Sequence, residues 1–343
     1  MAVKTRVGVI GLGMGVHHVR EYQKVAGCEV TALSDVDAER LGKSAAEFKV
    51  PHTFADGLEL IHSGKVDAVS VATPNTLHHP LTVAALRAGL HVLCEKPMAM
   101  NAAQAQEMVD EAKKADRRLA IHYNHRANAS VQWIARFARA GELGEIYFAR
   151  TIWHRRRGIP GRPSFLQMKN SGGGGLIDLG VHMLDQTLYI MGFPKVVSVT
   201  AATHTKFDQL DVPNIPMDVD DFATAYLRFE GGATLELEIS WASHHHHAEE
   251  LGVQVYGTKG GARRLTQDYK ETAVEVYRRD HGGLSTVRMD QPPRDLVSVQ
   301  ADFIAAIAEE RTPAFSGEQG LVAMRVLDAI YESSRLGREV VLK

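Results

Sequence analysis

Between Ser171 and Asp185 the chain reads SGGGGLIDLGVHMLD, four glycines opening an apolar segment whose only ionisable residues are Asp178, His182 and Asp185. Residues three and four apart in an α-helix project in nearly the same direction, so these three share one face of an otherwise oily element. Such a stripe must meet polar partners, because a polar group withdrawn from water without a hydrogen bond costs roughly 2 to 7 kcal/mol. The tract predicts either a satisfied helix-to-loop contact or a solvated cleft with a ligand opposite. His182 is the residue type that takes and returns a proton near neutrality, and Asp178, one turn earlier, can orient it or bind a neighbouring hydroxyl.

A second group of residues points to a nucleotide. Gly11-Leu12-Gly13-Met14-Gly15 follows a strand-like run and opens a helical pattern. In that context a glycine loop lets backbone amides approach a pyrophosphate at a helix N-terminus. The usual third glycine would fall at position 16, which is Val16, while Gly15 stands one residue early. Asp35 closes the second predicted strand about 20 residues further on, where a carboxylate accepts hydrogen bonds from ribose hydroxyls and repels a 2′-phosphate. NAD is therefore expected over NADP, with Arg40, a turn beyond, softening the preference. Thr73-Pro74-Asn75 and Glu95-Lys96-Pro97 end the predicted fourth and fifth strands, at the carboxyl edge where open sheets bind ligands.

The scaffold that must carry these groups is readable from hydrophobic periodicity. Short β-branched runs at 6–12, 29–34, 68–71, 91–94 and 119–123 alternate with helical patterns such as 77–88 and 102–115. That alternation predicts a doubly wound parallel α/β sheet with right-handed crossovers. After Asn124 the pattern changes to a helix at 130–140, a strand at 146–153 and the glycine-led helix. Longer alternating strands follow at 196–204, 221–229 and 233–241, the last two joined by Glu230-Gly231-Gly232 as a hairpin-type turn. Helices at 296–309 and 319–336 and a short strand at 339–342 close the chain. The reading is a nucleotide-binding domain over 1–123 and an α+β domain over 124–343.

At 343 residues and a formal net charge of −2, the chain is long enough for about two cores and carries no charge excess that would mark a nucleic-acid binder. Nowhere do about 20 apolar residues run unbroken, so no membrane span is expected. The N-terminus shows no secretory pattern. Cys28 and Cys94 read as reduced core thiols, and a cytoplasmic location is expected. His244 to His247, taken as the end of a strand, would point to alternate faces with no Glu or Cys completing a ligand set, so no metal is expected.

Gly11-Leu12-Gly13, Asp35, Thr73-Pro74-Asn75, Glu95-Lys96-Pro97 and the Gly172 to Asp185 tract together resemble the glucose-fructose oxidoreductase, inositol dehydrogenase and rhizopine-catabolism (Gfo/Idh/MocA) family over essentially the whole chain. The resemblance implies a Rossmann domain followed by a domain with a large open, mostly antiparallel sheet through which homodimers or homotetramers form. It implies Lys96, Asp178 and His182 as the catalytic set. It implies cofactor contacts from Gly11, Leu12, Gly13, Met14, Asp35, Arg40, Thr73, Pro74, Asn75, His78, Glu95 and Lys96. Oxidising a secondary alcohol needs a hydride acceptor and loss of the hydroxyl proton, for which His182 is the base and the Lys96 ammonium stabilises alkoxide character.

Trp153, Arg155 and Arg156 fall in a tract, Trp153 to Gly161, that resembles sugar-oxidising members, the glycoside 3-dehydrogenases and levoglucosan-type dehydrogenases. Arginine forks and an aromatic face suit vicinal hydroxyls or a carboxylate. Tyr123 and Arg126 are similar substrate candidates, and Asn124 is expected near the nicotinamide. The expected activity is NAD-dependent hydride transfer with a sugar, glycoside or cyclitol. The alternatives are a redox-assisted glycosidase that retains NAD and a non-catalytic sugar or NAD sensor.

Overall fold

The computed structural model describes residues 4–207 and 216–342, and these form two compact units. One comprises Met1–Tyr123 with Val297–Met324, the other Asn124–Leu296 with Arg325–Lys343. Division of the sequence at residue 123 alone had not anticipated that 297–324 rejoins the first unit.

The first unit is built on six parallel strands, β1 (Thr5–Ile10), β2 (Cys28–Ser34), β3 (His52–Phe54), β4 (Ala68–Val71), β5 (His91–Cys94) and β6 (Leu119–Ile121), in the order β3-β2-β1-β4-β5-β6. Every residue of β4 and β6 is buried, as a sheet covered on both faces requires. Helix Ala102–Ala115 is capped by Asn101, whose side chain accepts the Gln104 N–H. The returning segment completes this unit. Ile121 N–H donates to Phe315 C=O at 2.8 Å, and Ala120 bridges Ser316, so the edge beyond β6 is covered.

Because the strands are parallel and in register, the residues after Ile10, Ser34, Val71, Cys94 and Ile121 all emerge at one edge. Gly11, Asp35, Ala72, Glu95 and His122 thereby become neighbours although over a hundred positions separate the first from the last.

The second unit is a nine-stranded sheet of β7 (Ile146–Arg155), β8 (Val196–His204), β9 (Phe222–Phe229), β10 (Thr234–Ser240), β11 (Glu249–Gly257), β12 (Gly260–Gln267), β13 (Lys270–Asp280), β14 (Gly283–Arg288) and β15 (Val340–Val341). Its order is β14-β13-β12-β11-β7-β10-β9-β8-β15, antiparallel except between β7 and β10. Strands β11 to β14 had not been expected from the sequence. Alternate residues of β7, β9, β10 and β11, among them Thr151, Trp153, Leu237, Ile239 and Val253, turn to a buried face. Against that face pack helix Ala129–Arg139 and the helix ending at Met191. No described helix is long and apolar enough to cross a membrane.

Buried imidazoles give the first unit a predictable acid sensitivity. His91 has its pKa lowered to about 4, chiefly by burial and then by the neighbouring Arg117 and Arg118. Its Nδ1 accepts the Arg118 N–H at 2.9 Å, a bond that protonation would remove. His18 is lowered too, again chiefly by burial. The unfolded chain binds these protons at an ordinary pKa of about 6.5, so the stability they contribute is whole above that value and is lost as pH falls toward about 4. The melting temperature should drop between about pH 7 and about pH 5, above the main carboxylate range. His91→Gln should flatten the drop; an unaltered pH profile in that variant would exclude His91 as a source.

Candidate functional site

The glycine loop has the shape a dinucleotide requires. Gly11 has φ +86°, and a Cβ there would lie 2.6 Å from the Ala72 carbonyl oxygen. No L side chain fits that position. Gly13 faces open space, with no heavy atom within 4 Å of where its Cβ would be. Gly15 sits where helix Gly15–Tyr22 crosses β1, and a Cβ would meet Val9 Cγ1 at 2.8 Å. The close helix-to-sheet contact thus occurs at Gly15, which explains why Val16 is tolerated at the next position. The Asp35 carboxylate is buried and accepts from Leu12 N–H at 2.6 Å, Asp37 N–H at 2.9 Å and Arg40 Nη1 at 3.3 Å. These residues fit the adenosine side of a dinucleotide: a loop stripped of side chains, a helix N-terminus and a carboxylate aligned beside it.

At the same edge the His78 ring stands between the carbonyls of Thr73 and Pro97 and donates its one ring hydrogen to one of them. Its Nδ1 lies 2.7 Å from Pro97 C=O and its Nε2 2.9 Å from Thr73 C=O, and the ring is almost fully buried. Pro74 precedes the helix that starts at Asn75. Lys96 is half-buried and joined to Pro97 by a cis peptide bond. Glu95 turns inward, where its carboxylate meets His18, His122 and the Lys96 N–H. His78 and Glu95, for which the family resemblance implied cofactor or ribose contacts, both pack inward.

In the second unit the glycine run Gly172 to Gly175 has a specific cause. Asp220 accepts Gly174 N–H at 2.9 Å and Leu176 N–H at 2.8 Å, and Tyr331 donates its hydroxyl to the same carboxylate at 2.6 Å. A Cβ at Gly174 would collide with the Asp220 carbonyl oxygen, and one at Gly173 with the Tyr331 hydroxyl. The helix then begins as a π-helical turn, Leu176–Gly180, before continuing as Val181–Met191. Such turns re-aim side chains relative to a regular α-helix, and the three ionisable residues take different surroundings. Asp178 accepts the Trp241 indole N–H at 3.0 Å. The His182 ring lies against His125 with centroids 4.4 Å apart and planes tilted by 37°, and Trp153 lies against His125 at 5.0 Å, tilted by 42°. Asp185 lies in the interior, bidentate to Arg126 through Nε at 3.0 Å and through Nη2. The Arg126 guanidinium also lies over Tyr189 and Phe193.

The remaining candidates separate by burial. Tyr123 and Arg126 are enclosed, and Asn124 is exposed. Trp153 Nε1 and Arg155 Nε both donate to Glu249 Oε1, at 3.0 and 2.9 Å. Arg156 grips the carbonyls of His245 and His246. Those histidines occupy the loop between β10 and β11, so strand alternation does not apply to them and their rings gather, His245 to His246 at 4.4 Å and His246 to His247 at 4.1 Å. With Glu250 they bring three possible ligand atoms within 4.8 Å of one another, as do His18, Glu95 and His122. The sequence reading had anticipated no such grouping.

His18, His122, His125, Asp220 and Trp241 were not among the residues expected from the sequence. A signal existed for His18, which lies four residues before Tyr22 on the face of its helix that also buries Val19. For Asp220 and Trp241 there was none, since their partners lie tens of residues away.

Residues 5–123 match the model of an oxidoreductase family with an NAD-binding Rossmann fold, and residues 131–263 match the GFO/IDH/MocA C-terminal domain. The D-glucoside 3-dehydrogenase of Escherichia coli (strain K12) is 32% identical over 98% of this chain and 97% of its own. The myo-inositol 2-dehydrogenase of Thermotoga maritima is 30% identical over 98% of each. Among solved structures, a levoglucosan dehydrogenase in complex with NADH and L-sorbose shares the fold with a TM-score of 0.88 at 24% identity, over 99% of each chain.

The Asp185–Arg126 pair separates a scaffold role from a ligand-binding one. Both side chains are about 1% exposed. Removing one member of a buried pair leaves the other charge uncompensated, at a cost of about 3 to 5 kcal/mol. Asp185→Ala should lose stability of that order in denaturant titration. A loss under about 1 kcal/mol, the scale of an exposed pair, would return Arg126 to the list of ligand contacts.

Proposed function

The chain belongs to the Gfo/Idh/MocA oxidoreductase family, and from that premise we propose that it oxidises a secondary alcohol of a sugar, glycoside or cyclitol, delivering the hydride to NAD. The observation that carries this reading is the gathering of the bare Gly11–Gly15 loop, the Asp35 carboxylate and the Lys96 turn at the carboxyl edge of one parallel sheet. The D-glucoside and myo-inositol specificities of the relatives support the substrate class.

Bound NAD would supply the hydride acceptor. The amides of Gly13 and Met14 would hold the pyrophosphate at the start of the first helix, while Leu12 N–H stays on Asp35. Asp35 would receive the ribose hydroxyls while retaining its backbone donors, and Arg40 holds the outer side of that carboxylate. Thr73, Pro74 and Asn75 line the cofactor edge, with Asn124 a candidate for the nicotinamide end. Lys96 keeps a positive charge at the reacting oxygen and stabilises it as its proton leaves. His182, whose ring lies against His125, takes that proton. Asp178, held by Trp241, is a hydroxyl contact or orienting group for His182. Trp153, Arg155 and Arg156 are substrate candidates. The burial of Tyr123 and Arg126 supports a scaffold role for both.

Cofactor choice tests the Asp35 assignment. Efficiency with NAD should exceed that with NADP, since a 2′-phosphate would stand against the carboxylate. Asp35→Ala should shift the ratio toward NADP by freeing Arg40. Equal efficiency of both cofactors with the natural chain would show that Asp35 lies elsewhere than the ribose.

The chemistry is tested by two variants assayed on a panel of sugars, glycosides and inositols. Lys96→Met should lower the single-turnover hydride-transfer rate by about 10²- to 10³-fold, and His182→Ala by about 10²- to 10⁴-fold. Both should retain NAD binding and melt near the natural temperature. Normal hydride transfer in either would remove that residue from the reaction.

A further inference from the structure

We infer that a buried hydrogen-bonded chain, Tyr22–Ser70–His18–Glu95–His122–Gln300, acts together with His78 as the positioning device for Lys96. This rests on the reading of Lys96 given above and assigns it a support that the functional reading does not use.

The anchor is the Glu95 carboxylate. Its Oε1 accepts from His18 Nε2 and from His122 Nδ1, both at 2.9 Å, while its Oε2 accepts the backbone N–H of Lys96 at 3.0 Å. An ionised carboxylate only accepts, so both imidazole nitrogens facing it carry hydrogens. The outer partners fit that assignment. His18 Nδ1 lies 3.2 Å from Ser70 Oγ, which lies 3.0 Å from the Tyr22 hydroxyl, so Tyr22 donates to Ser70 and Ser70 to His18. On the other side Gln300 Nε2 stands 3.1 Å from His122 Nε2 and donates to it. Each hydrogen along the chain thereby finds an acceptor, with the Glu95 carboxylate at its centre.

The Glu95 carboxyl is held in the ionised form that this arrangement needs. Burial opposes ionisation of Glu95, but His122 and His18 outweigh it and hold the carboxyl well below the ordinary range. Burial also lowers the proton affinity of His18. With ring centroids 4.2 Å apart, a proton on either histidine would face the other.

The network has a directional consequence. Glu95 grips the N–H on one side of the Lys96 residue, and His78 meets the Pro97 carbonyl on the other, at 2.7 Å. His18 belongs to the helix that begins in the glycine loop, His122 follows β6, and Gln300 comes from the returning segment. The carboxylate thus refers the backbone of Lys96 to the same helix whose start would hold the pyrophosphate. An ammonium that must meet a reacting oxygen within a fraction of an ångström gains from such a reference, because misplacement of about 1 Å costs on the order of 10²-fold in rate.

Glu95→Gln tests this with little change of shape. If the amide oxygen keeps both imidazoles, its NH₂ faces the Lys96 N–H, donor against donor. Single-turnover hydride transfer should fall by about 10²-fold, while NAD affinity, measured by titration, changes little. His122 gives a second test that does not depend on Glu95→Gln folding. His122→Leu deletes the donor, whereas the amide of His122→Asn can replace the Nδ1 hydrogen, so His122→Asn should recover most of the rate that His122→Leu loses. Normal hydride transfer in Glu95→Gln, or equal rates for the two His122 variants, overturns the proposal while leaving Lys96 in place. So does a stoichiometric divalent metal in the purified protein that is lost on substituting His18, since these atoms would then be ligands. If Lys96→Met itself transfers hydride normally, the functional reading beneath the proposal has failed instead.

Discussion

A carboxylate withdrawn from water must recover its hydrogen bonds from the protein, and this requirement sets the position of nearly every loop that carries chemistry here. Asp35 takes Leu12 N–H and so holds the glycine loop against the end of β2. Glu95 gathers two imidazoles and a backbone amide. Asp220 takes two amides of the glycine run and the Tyr331 hydroxyl, which fixes where the π-helical turn begins. Glu249 receives Trp153 and Arg155, and Asp185 receives Arg126. In each case at least one donor comes from a segment remote in sequence, so the acid acts as a tie between elements that hydrophobic packing alone would leave free to slide.

This explains which features could be read in advance. Strands 68–71 and 91–94 and helix 102–115 have the predicted bounds because burial on both faces, or one clean stripe, writes itself into consecutive residues. Strands β12 and β13 escaped because Arg263, Arg264, Glu271 and Glu275 interrupt their alternation. Arg264 is buried nonetheless, satisfied by Ser130 and Glu271. A charge whose partner lies on another element looks, in one dimension, like a solvent-facing charge.

The same limit applies to the candidate site. Lys96, Asp35 and His182 could be singled out because each sits at a fixed offset from a glycine run or a strand end. Their supports could not, since the Trp241 partner of Asp178 lies 63 positions away and the Arg126 partner of Asp185 lies 59 away. The Arg155 to Arg157 cluster, which looks in sequence like one basic patch, divides among Glu249, the histidine-loop carbonyls and the Phe207 ring.

The return of Val297–Met324 to the first unit bears on how the chain is made. A ribosome releases β6 and His122 long before Phe315, Ser316 and Gln300 exist, so the nascent nucleotide-binding unit waits with an open sheet edge and an unfinished polar chain. Unpaired edges recruit other strands. The order of synthesis therefore places the greatest exposure to mispairing in the interval between residues 123 and 316, and the nine-stranded unit is translated within that interval except for Arg325–Lys343, the end of the last helix and the terminal strand.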